Sequence, residues 1–229
     1  LDENFKNNIK PLIKNFPVHI ELRSLLHDIL LKNTHYNYFY FVSGTVTLNS
    51  LEELMFKFHN YYNIFDSTNS RNVKYKNNQA TVKFTLFYDG GDQLAFLLFA
   101  RAGINGSRDH LFFDLEKVSD IRNAKTPLTI YGHELKRFNQ DKYSYINEST
   151  DKKIVVAART NVWSWFIAKD YEENFIKELK ELILKRNVRL INQLIFKLKL
   201  FIGFHGVQED FFHLKKKVNL LLAQISKID

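Results

Sequence analysis

Residues 36–102 decide the fold of this chain: they open with YNYFYFVSGTVTL at 36–48 and close with TVKFTLFYDGGDQLAFLLFARA at 81–102. Aromatic and β-branched residues fill the first stretch, and this composition favours a strand on a pleated, half-buried surface. Ser50 and Glu53 follow as a capping-box pair, which predicts a helix from Leu51 to about Tyr62. Its buried face is expected to carry Leu51, Leu54, Met55 and Phe58.

The end of this region predicts three strands. Asn77-Asn78 separates Val73–Lys76 from Thr81–Tyr88, and the turn DGGD at 89–92 leads into Gln93–Ala102. Alternation along the middle strand places its apolar side chains on one face, the candidate core face: Val82, Phe84, Leu86 and Tyr88. The last strand is nearly all apolar, which is typical of a strand covered on both faces.

The flanking sequence predicts helices before this region and a mixture of strands and helices after it. Residues 1–34 predict one or two amphipathic helices interrupted at Pro17, and residues 63–72 predict a loop. Further strands are expected at Leu128–Phe138, Tyr143–Ile146, Lys153–Ala158 and Val162–Ile167. Helices are expected at Tyr171–Lys185, Val188–Ile202 and Val207–Ile228, the last two forming an antiparallel hairpin around the sequence GFHG at 203–206.

These elements together predict an α+β protein. We expect a largely antiparallel sheet with helices on one face and a C-terminal antiparallel helical hairpin. The expected organisation is a sheet domain at residues 1–169 and a helical segment at residues 170–229 packed on it, with one single domain as the alternative.

The composition excludes several classes of site. With no cysteine among 229 residues, disulfides, thiolate zinc sites and cysteine nucleophiles are excluded. Lys197 and Lys199 interrupt the apolar run at 194–202, which is too short and too charged for a membrane span. No secretory signal is visible, but the sequence begins at Leu1, so an absent leader proves nothing about export. The localisation is left unknown, with an intracellular soluble protein favoured.

The net charge of +8 and a pI near 9.4 favour anionic partners such as nucleic acid. The loop GINGS at 103–107 lies between Arg101 and Arg108 and carries two glycines, Gly103 and Gly106, before Ser107. Glycines let successive backbone N–H groups form an anion-binding concavity, and arginines complete a phosphate site. The alternative is an ordinary turn made accessible by the two glycines.

Two further patches carry aromatic or basic residues. Trp163 and Trp165 share one face of a predicted strand, with Arg159 nearby, and would stack on bases if exposed or fill the core if buried. Lys215 and Lys216, followed by Lys217, lie on the last predicted helix. They form either a basic rim or an ordinary solvated face.

Catalytic motifs are absent from the sequence. The eight histidines form no metal-binding spacing, and no phosphate-binding P-loop, dinucleotide fingerprint or nucleophile elbow is present, so no metal and no cofactor is expected. His110, Asp114 and His133 are the residues around which a divergent enzyme site would form.

The sequence therefore favours a non-enzymatic nucleic-acid-binding or nucleoprotein-assembly protein. Its phosphate contacts would come from Arg71, Arg101, Arg108, Arg159 and nearby lysines. The main alternative is a structural subunit that binds protein partners or a second copy of itself through its aromatic strands and C-terminal hairpin. An enzyme is the third alternative.

Overall fold

The computed structural model describes residues 18–88, 90–140, 143–147, 152–156, 158–199 and 204–225. Its contacts divide the chain into two compact units, residues 1–126 and residues 127–229, here called the N-terminal and the C-terminal unit. The division lies before the strands at 128–167. The domain boundary expected at 169/170 stays a prediction. These strands belong with the C-terminal helices because the last strand and the last helix pack against each other.

A five-stranded sheet forms the centre of the N-terminal unit. Its strands are β1 (Val18–His19), β2 (Tyr40–Thr47), β3 (Thr81–Tyr88), β4 (Gln93–Arg101) and β5 (Ser119–Asp120). They lie in the order β1-β3-β4-β2-β5, and every pair is antiparallel except β1 with β3. The long strand β4 therefore lies in the middle, between β2 and β3.

In the described part of this unit, four α-helices accompany the sheet: α1 (Leu22–Asp28), α2 (Leu51–Tyr62), α3 (Thr68–Lys76) and α4 (Leu111–Leu115). A π-helical turn, Ile29–Asn33, extends α1. Helix α2 buries Leu51, Met55, Phe58 and Tyr62 in one apolar cluster with Val82, Phe84 and Leu86 of β3 and Leu94 and Leu98 of β4. The predicted core face of β3 is confirmed, and Thr85 and Phe87 on its other face are buried as well.

Three local predictions in this unit were wrong. Val73–Lys76 is the end of helix α3 and not a strand, and residues 68–72, predicted as loop, are its beginning. Ser67 specifies this helix because its Oγ accepts a hydrogen bond from the Ser70 amide at 3.1 Å. Val18, predicted at the start of a helical stripe, pairs in β1. The predicted helices before it, at residues 1–17, lie outside the described residues.

Helix α2 begins at Leu51 as predicted, but the capping box does not form. Ser50 has φ −97° and ψ −1° and makes no side-chain cap, because it closes a 3₁₀ turn at Leu48–Ser50. Its Oγ lies 3.2 Å from the Oγ1 of Thr47 instead. The start of the helix was therefore predicted correctly, although the capping box on which the prediction rested does not form.

The C-terminal unit combines strands with the three last helices. Its strands are β6 (Leu128–Ile130), β7 (His133–Gln140), β8 (Tyr143–Asn147), β9 (Lys152–Val156) and β10 (Arg159–Ile167). β10, β7 and β6 form one antiparallel sheet, and β8 pairs with β9 in a separate hairpin. The helices are α5 (Lys169–Leu184), α6 (Val188–Lys199) and α7 (His205–Ile225), and α7 packs on β10.

The predicted α+β class, with its largely antiparallel sheet and C-terminal helical hairpin, is confirmed. Residues 200–203, which join α6 to α7, lie outside the described residues. Across the described part of the chain, no helix has both the length and the apolar composition of a membrane span.

Candidate functional site

The glycine loop after β4 uses its own backbone donors within the protein. The amide of Gly103 donates to the Ser107 carbonyl at 2.8 Å, and that of Gly106 to the Gly103 carbonyl at 2.8 Å. The amide of Ile104 donates to the Tyr75 carbonyl of α3 at 3.1 Å. These donors, which an anion-binding concavity requires, already have protein acceptors.

Gly103 is required at this position by a close approach between two backbone segments. A Cβ atom at residue 103 would lie 2.3 Å from the carbonyl carbon and oxygen of Asn78. The side chain of Asn78 reinforces the contact, because its Oδ1 accepts from the Asn105 amide at 2.9 Å. The loop therefore docks onto the end of α3, and its glycine serves that docking.

Arg101 is buried in the same region, with 4% of its surface exposed. Its Nε donates to Thr81 Oγ1 at 3.2 Å, and its Nη2 donates to the Arg71 carbonyl at 2.9 Å and to Asn72 Oδ1 at 3.0 Å. Its guanidinium also lies 4.3 Å from the ring centroid of Tyr75. These contacts join β4 to β3 and α3.

The other polar residues predicted around this loop are held less tightly. Arg71 is half-buried on α3 and contributes its carbonyl to Arg101. Ser107 Oγ accepts from the Asp109 amide at 3.3 Å. Arg108, at the end of the loop, is exposed and points to a different group of residues.

Two arginines converge on the hydroxyl of Tyr40 at the edge of the sheet. Arg108 Nη2 donates to Tyr40 Oη at 2.7 Å, and Arg122 Nη2 donates to the same oxygen at 2.9 Å. Both guanidiniums also lie over the Tyr40 ring, at 4.6 and 5.3 Å from its centroid. The ring of Phe113 from α4 meets Tyr40 edge-on at 5.1 Å and supports it from the core side. Such cation–π contacts hold a guanidinium in place without neutralising it.

One carboxylate, Asp120, completes what we call the arginine cluster: Tyr40, Arg108, Asp120 and Arg122. Arg122 Nε donates to Asp120 Oδ1 at 2.9 Å and Arg122 Nη2 to Oδ2 at 2.6 Å, a two-point pair. Partial burial acts to raise the pKa of Asp120, but the hydrogen bonds from Arg122 outweigh it and hold that pKa below its ordinary value. The same carboxylate raises the pKa of the Arg122 guanidinium. With one anion and two cations, the cluster keeps a net positive charge.

Strand pairing brings the cluster together. Tyr40 lies opposite Asp120 where β2 pairs with β5, and the Ile121 amide donates to the Phe39 carbonyl at 2.8 Å just beyond that pair. Arg122 thus leaves the sheet edge beside Tyr40, although 82 positions separate the two residues in sequence. Arg108 reaches Tyr40 from the exit of the glycine loop.

The guanidinium groups of the arginine cluster have N–H donors that face solvent. Arg108 is an exposed residue, and 38% of the Arg122 side chain is exposed, whereas Tyr40 is buried. Among the described residues, the Arg108 guanidinium donates one hydrogen bond, from Nη2 to Tyr40 Oη. A planar guanidinium with free N–H donors is the group that binds phosphate oxygens in pairs. The arrangement therefore suits a bound anion.

The two tryptophans of β10 differ in burial. Trp165 is fully buried, with His133 edge-on at 6.5 Å between ring centroids. Trp163 is half-buried and lies under the Arg137 guanidinium, 4.6 Å from its ring centroid. The side chain of Arg159 lies outside the described residues. Of the two tryptophans, Trp163 alone keeps part of its surface accessible to a stacked base.

The predicted lysines of α7 are exposed. Lys216 lies over its own helix neighbour Phe212, with Nζ 5.0 Å from the ring centroid. Lys217 pairs with Glu172 of α5 at 2.5 Å. Lys215 is exposed beside them. The three lysines therefore lie on the solvent-exposed surface of α7.

Of the two histidines proposed for an enzyme site, one caps a helix and the other is buried in the C-terminal unit. His110 caps α4, because its Nδ1 accepts from the Phe112 amide at 3.2 Å, while Asp114 is exposed. Burial lowers the pKa of His110, and the nearby Lys74 ammonium lowers it further. Burial also lowers the pKa of His133, which lies in the other unit. Among the described residues, no group of three or more potential ligands surrounds a metal-sized space.

Comparison with known proteins adds no further assignment. No protein-family model matches this chain, and neither does any curated protein or any solved structure. The sequence analysis singled out Arg108 but missed Asp120 and Arg122. The spacing of Asp120 and Arg122, two residues apart in a short extended segment, is the one local signal of their pairing.

Proposed function

We propose that this protein binds nucleic acid through its phosphate backbone, with the arginine cluster as the principal contact. The observation that carries the proposal is the convergence of Arg108 and Arg122 on one tyrosine hydroxyl, with a single carboxylate for two guanidiniums. A nucleic-acid backbone presents anionic oxygens in pairs, which match the donor pairs of a guanidinium.

The two guanidiniums of the arginine cluster are held in place in the free protein, which distinguishes the cluster from an ordinary basic surface. Tyr40 and Asp120 hold the two guanidiniums before any ligand arrives, so less side-chain entropy is lost on binding than for free lysines. Arg101 contributes indirectly, because it holds the strand that leads to the glycine loop and Arg108. Lys215 and Lys216 are candidates for additional backbone contacts in the C-terminal unit.

Binding to labelled single- and double-stranded oligonucleotides, measured by fluorescence anisotropy at low salt, tests the proposal. We expect Arg108→Met to weaken binding by about 5- to 20-fold, because a charge-assisted hydrogen bond contributes about 1.5–3 kcal/mol minus the cost of its desolvation. The loss should be similar for different sequences, since phosphate contacts carry no base information.

The matched control is Arg137→Met. Arg137 is also an exposed arginine on an aromatic ring, but it lies in the C-terminal unit, where Trp163 is its ring partner. Equal loss of affinity in both variants would reflect total charge and would refute a role specific to the arginine cluster. Wild-type protein without measurable affinity at low salt would refute the proposed function itself.

A protein partner is the second candidate function, favoured by apolar exposure in the C-terminal unit. Five large apolar side chains there are between 60% and 84% exposed: Leu184, Val188, Phe196, Phe212 and Leu220. Apolar side chains that lie together in one exposed patch mark surfaces that bind other proteins. Light scattering over a range of protein concentrations tests self-association, and Phe196→Ser with Phe212→Ser should abolish any oligomer found. Oligomers that persist in this double variant would exclude these side chains as the interface.

A further inference from the structure

A second group of polar residues lies in the N-terminal unit, in an open cleft of about 700 Å³ beside β1 and α1. His19 of β1 lines this cleft together with Ser24 and Asp28 of α1. None of these three residues belongs to the arginine cluster, and the sequence analysis assigned no role to any of them. An inference from this cleft is therefore independent of the proposed nucleic-acid binding.

The three side chains form a chain from a hydroxyl through an imidazole to a carboxylate. Ser24 Oγ lies 3.1 Å from His19 Nδ1, within hydrogen-bond distance. On the other side of the ring, His19 Nε2 lies 3.6 Å from Asp28 Oδ2, an electrostatic contact that is too long for a hydrogen bond. The Lys83 ammonium of β3 lies 3.7 Å from the same carboxylate oxygen and helps to hold it in place.

Burial separates the roles within this group. His19 has 9% of its side chain exposed and Asp28 10%, whereas Ser24 is exposed to the cleft. The Nε2 atom of His19 is buried and has no hydrogen-bond partner among the described residues, so the carboxylate is its nearest anionic neighbour there. With its proton on Nε2, the imidazole points a basic Nδ1 at the hydroxyl.

We propose that Ser24 is an activated nucleophile for acyl transfer from carboxylic esters, with His19 as its general base. A nucleophile within reach of a base, which a third group orients, is the arrangement that activates serine on unrelated folds. Here Asp28 is the positioning residue, and it acts through its negative charge beside the imidazole. The pairing of the ring nitrogens is reversed from the usual one, because Nδ1 and not Nε2 faces the serine.

The reaction consumes one ester and one water and yields an alcohol and a carboxylic acid. Ser24 Oγ attacks the ester carbonyl carbon while its proton passes to His19 Nδ1. As the tetrahedral intermediate collapses, the bond to the alcohol oxygen breaks and the leaving alkoxide takes the proton from His19. Water then attacks the acyl-serine in the same way, with His19 again accepting and returning the proton, and releases the carboxylic acid.

A fluorophosphonate probe, which phosphonylates activated serines, tests the proposal on the full chain. We expect one adduct per chain, located on Ser24 by peptide mass spectrometry. Labelling should be lost in Ser24→Ala and slowed about 100-fold in His19→Gln, since general-base assistance contributes about 10²- to 10⁴-fold. Ser24 is exposed, so its replacement by alanine leaves the packed core intact.

The controls separate activation from accessibility and from loss of structure. Ser43 of β2 is an exposed serine, and Ser43→Ala should label at the wild-type rate. Asp28→Asn should slow the labelling, whereas Asp28→Glu should restore most of it, because the glutamate keeps a negative charge beside the imidazole. Absence of an adduct in the wild type, an adduct that persists in Ser24→Ala, or unchanged labelling in folded His19→Gln would each overturn the proposal.

Discussion

Replacing Arg101 by methionine should destabilise the N-terminal unit, even though the sequence predicted this residue to bind phosphate. Arg101 is 4% exposed, and its guanidinium makes three hydrogen bonds, to Thr81, the Arg71 carbonyl and Asn72. Hydrogen bonds to a charged group contribute about 1.5–3 kcal/mol each. Burial of the cation offsets much of this gain, because its desolvation costs several kcal/mol. Methionine retains the apolar stem but leaves three acceptors without their donor.

The net effect expected from these opposing contributions is a fall of about 3 kcal/mol in the free energy of unfolding, as for other broken buried networks. Urea unfolding followed by far-UV circular dichroism measures it, and hydrogen exchange of peptides from α3 and β3 locates the loss. Both tryptophans, Trp163 and Trp165, lie in the C-terminal unit, so their fluorescence is a poor reporter for this variant.

Arg108→Met is the control for this experiment. Arg108 is exposed and bonded through one hydroxyl contact, so its loss should cost less than about 1 kcal/mol of stability. A stable Arg101→Met variant with unchanged exchange in α3 and β3 would refute the view that Arg101 joins these elements. So would a stable variant that has lost nucleic-acid binding, since that is the behaviour of a surface contact.

Two further predictions concern the glycine loop and its neighbour His110. Gly103→Ala should lower the free energy of unfolding by about 3 kcal/mol, the upper range for overpacking, because its Cβ would lie 2.3 Å from the Asn78 backbone. Urea unfolding measures this change. The control is Gly106→Asn, which lies in open space at φ +83° and should change stability by less than about 1 kcal/mol. The lowered pKa of neutral His110 implies stability that is fully present above its ordinary value of 6.5 and lost as the pH falls through the lower folded value. His110→Asn retains a helix cap and should reduce this acid-side loss; unfolding curves at pH 8 and pH 5 that keep the wild-type difference would contradict this assignment.

Local chemistry accounts for the elements that the sequence predicted correctly. The strand Thr81–Tyr88 and the hairpin that follows were predictable because alternation and the turn at 89–92 agree with each other. Helix α3 was missed because Val73 and Tyr75 alternate with lysines and imitate the period of a strand. Its helical state depends on Ser67 and on the hydrogen bonds from Arg101 to Arg71 and Asn72, and the second of these is a long-range contact.

The candidate site depends more on tertiary structure than the helices and strands do, so less of it could be predicted from the sequence. The sequence drew attention to the glycines after β4, but it could not show that Gly103 is needed for contact with Asn78 rather than with a ligand. It placed Arg101 and Arg108 in the same role, whereas one is buried between elements and the other is exposed. Arg122 escaped notice because its position follows from the pairing of β2 with β5, which no local pattern encodes.

The salt dependence of nucleic-acid binding tests most directly the claim that the arginine cluster holds phosphates. For the wild type, the logarithm of the association constant should fall linearly with the logarithm of salt concentration, because phosphate contacts release condensed counterions. Arg108→Met should reduce this slope by about 1, the value for one lost phosphate contact. A slope identical to that of the wild type, or wild-type binding that does not change with salt, would contradict the account.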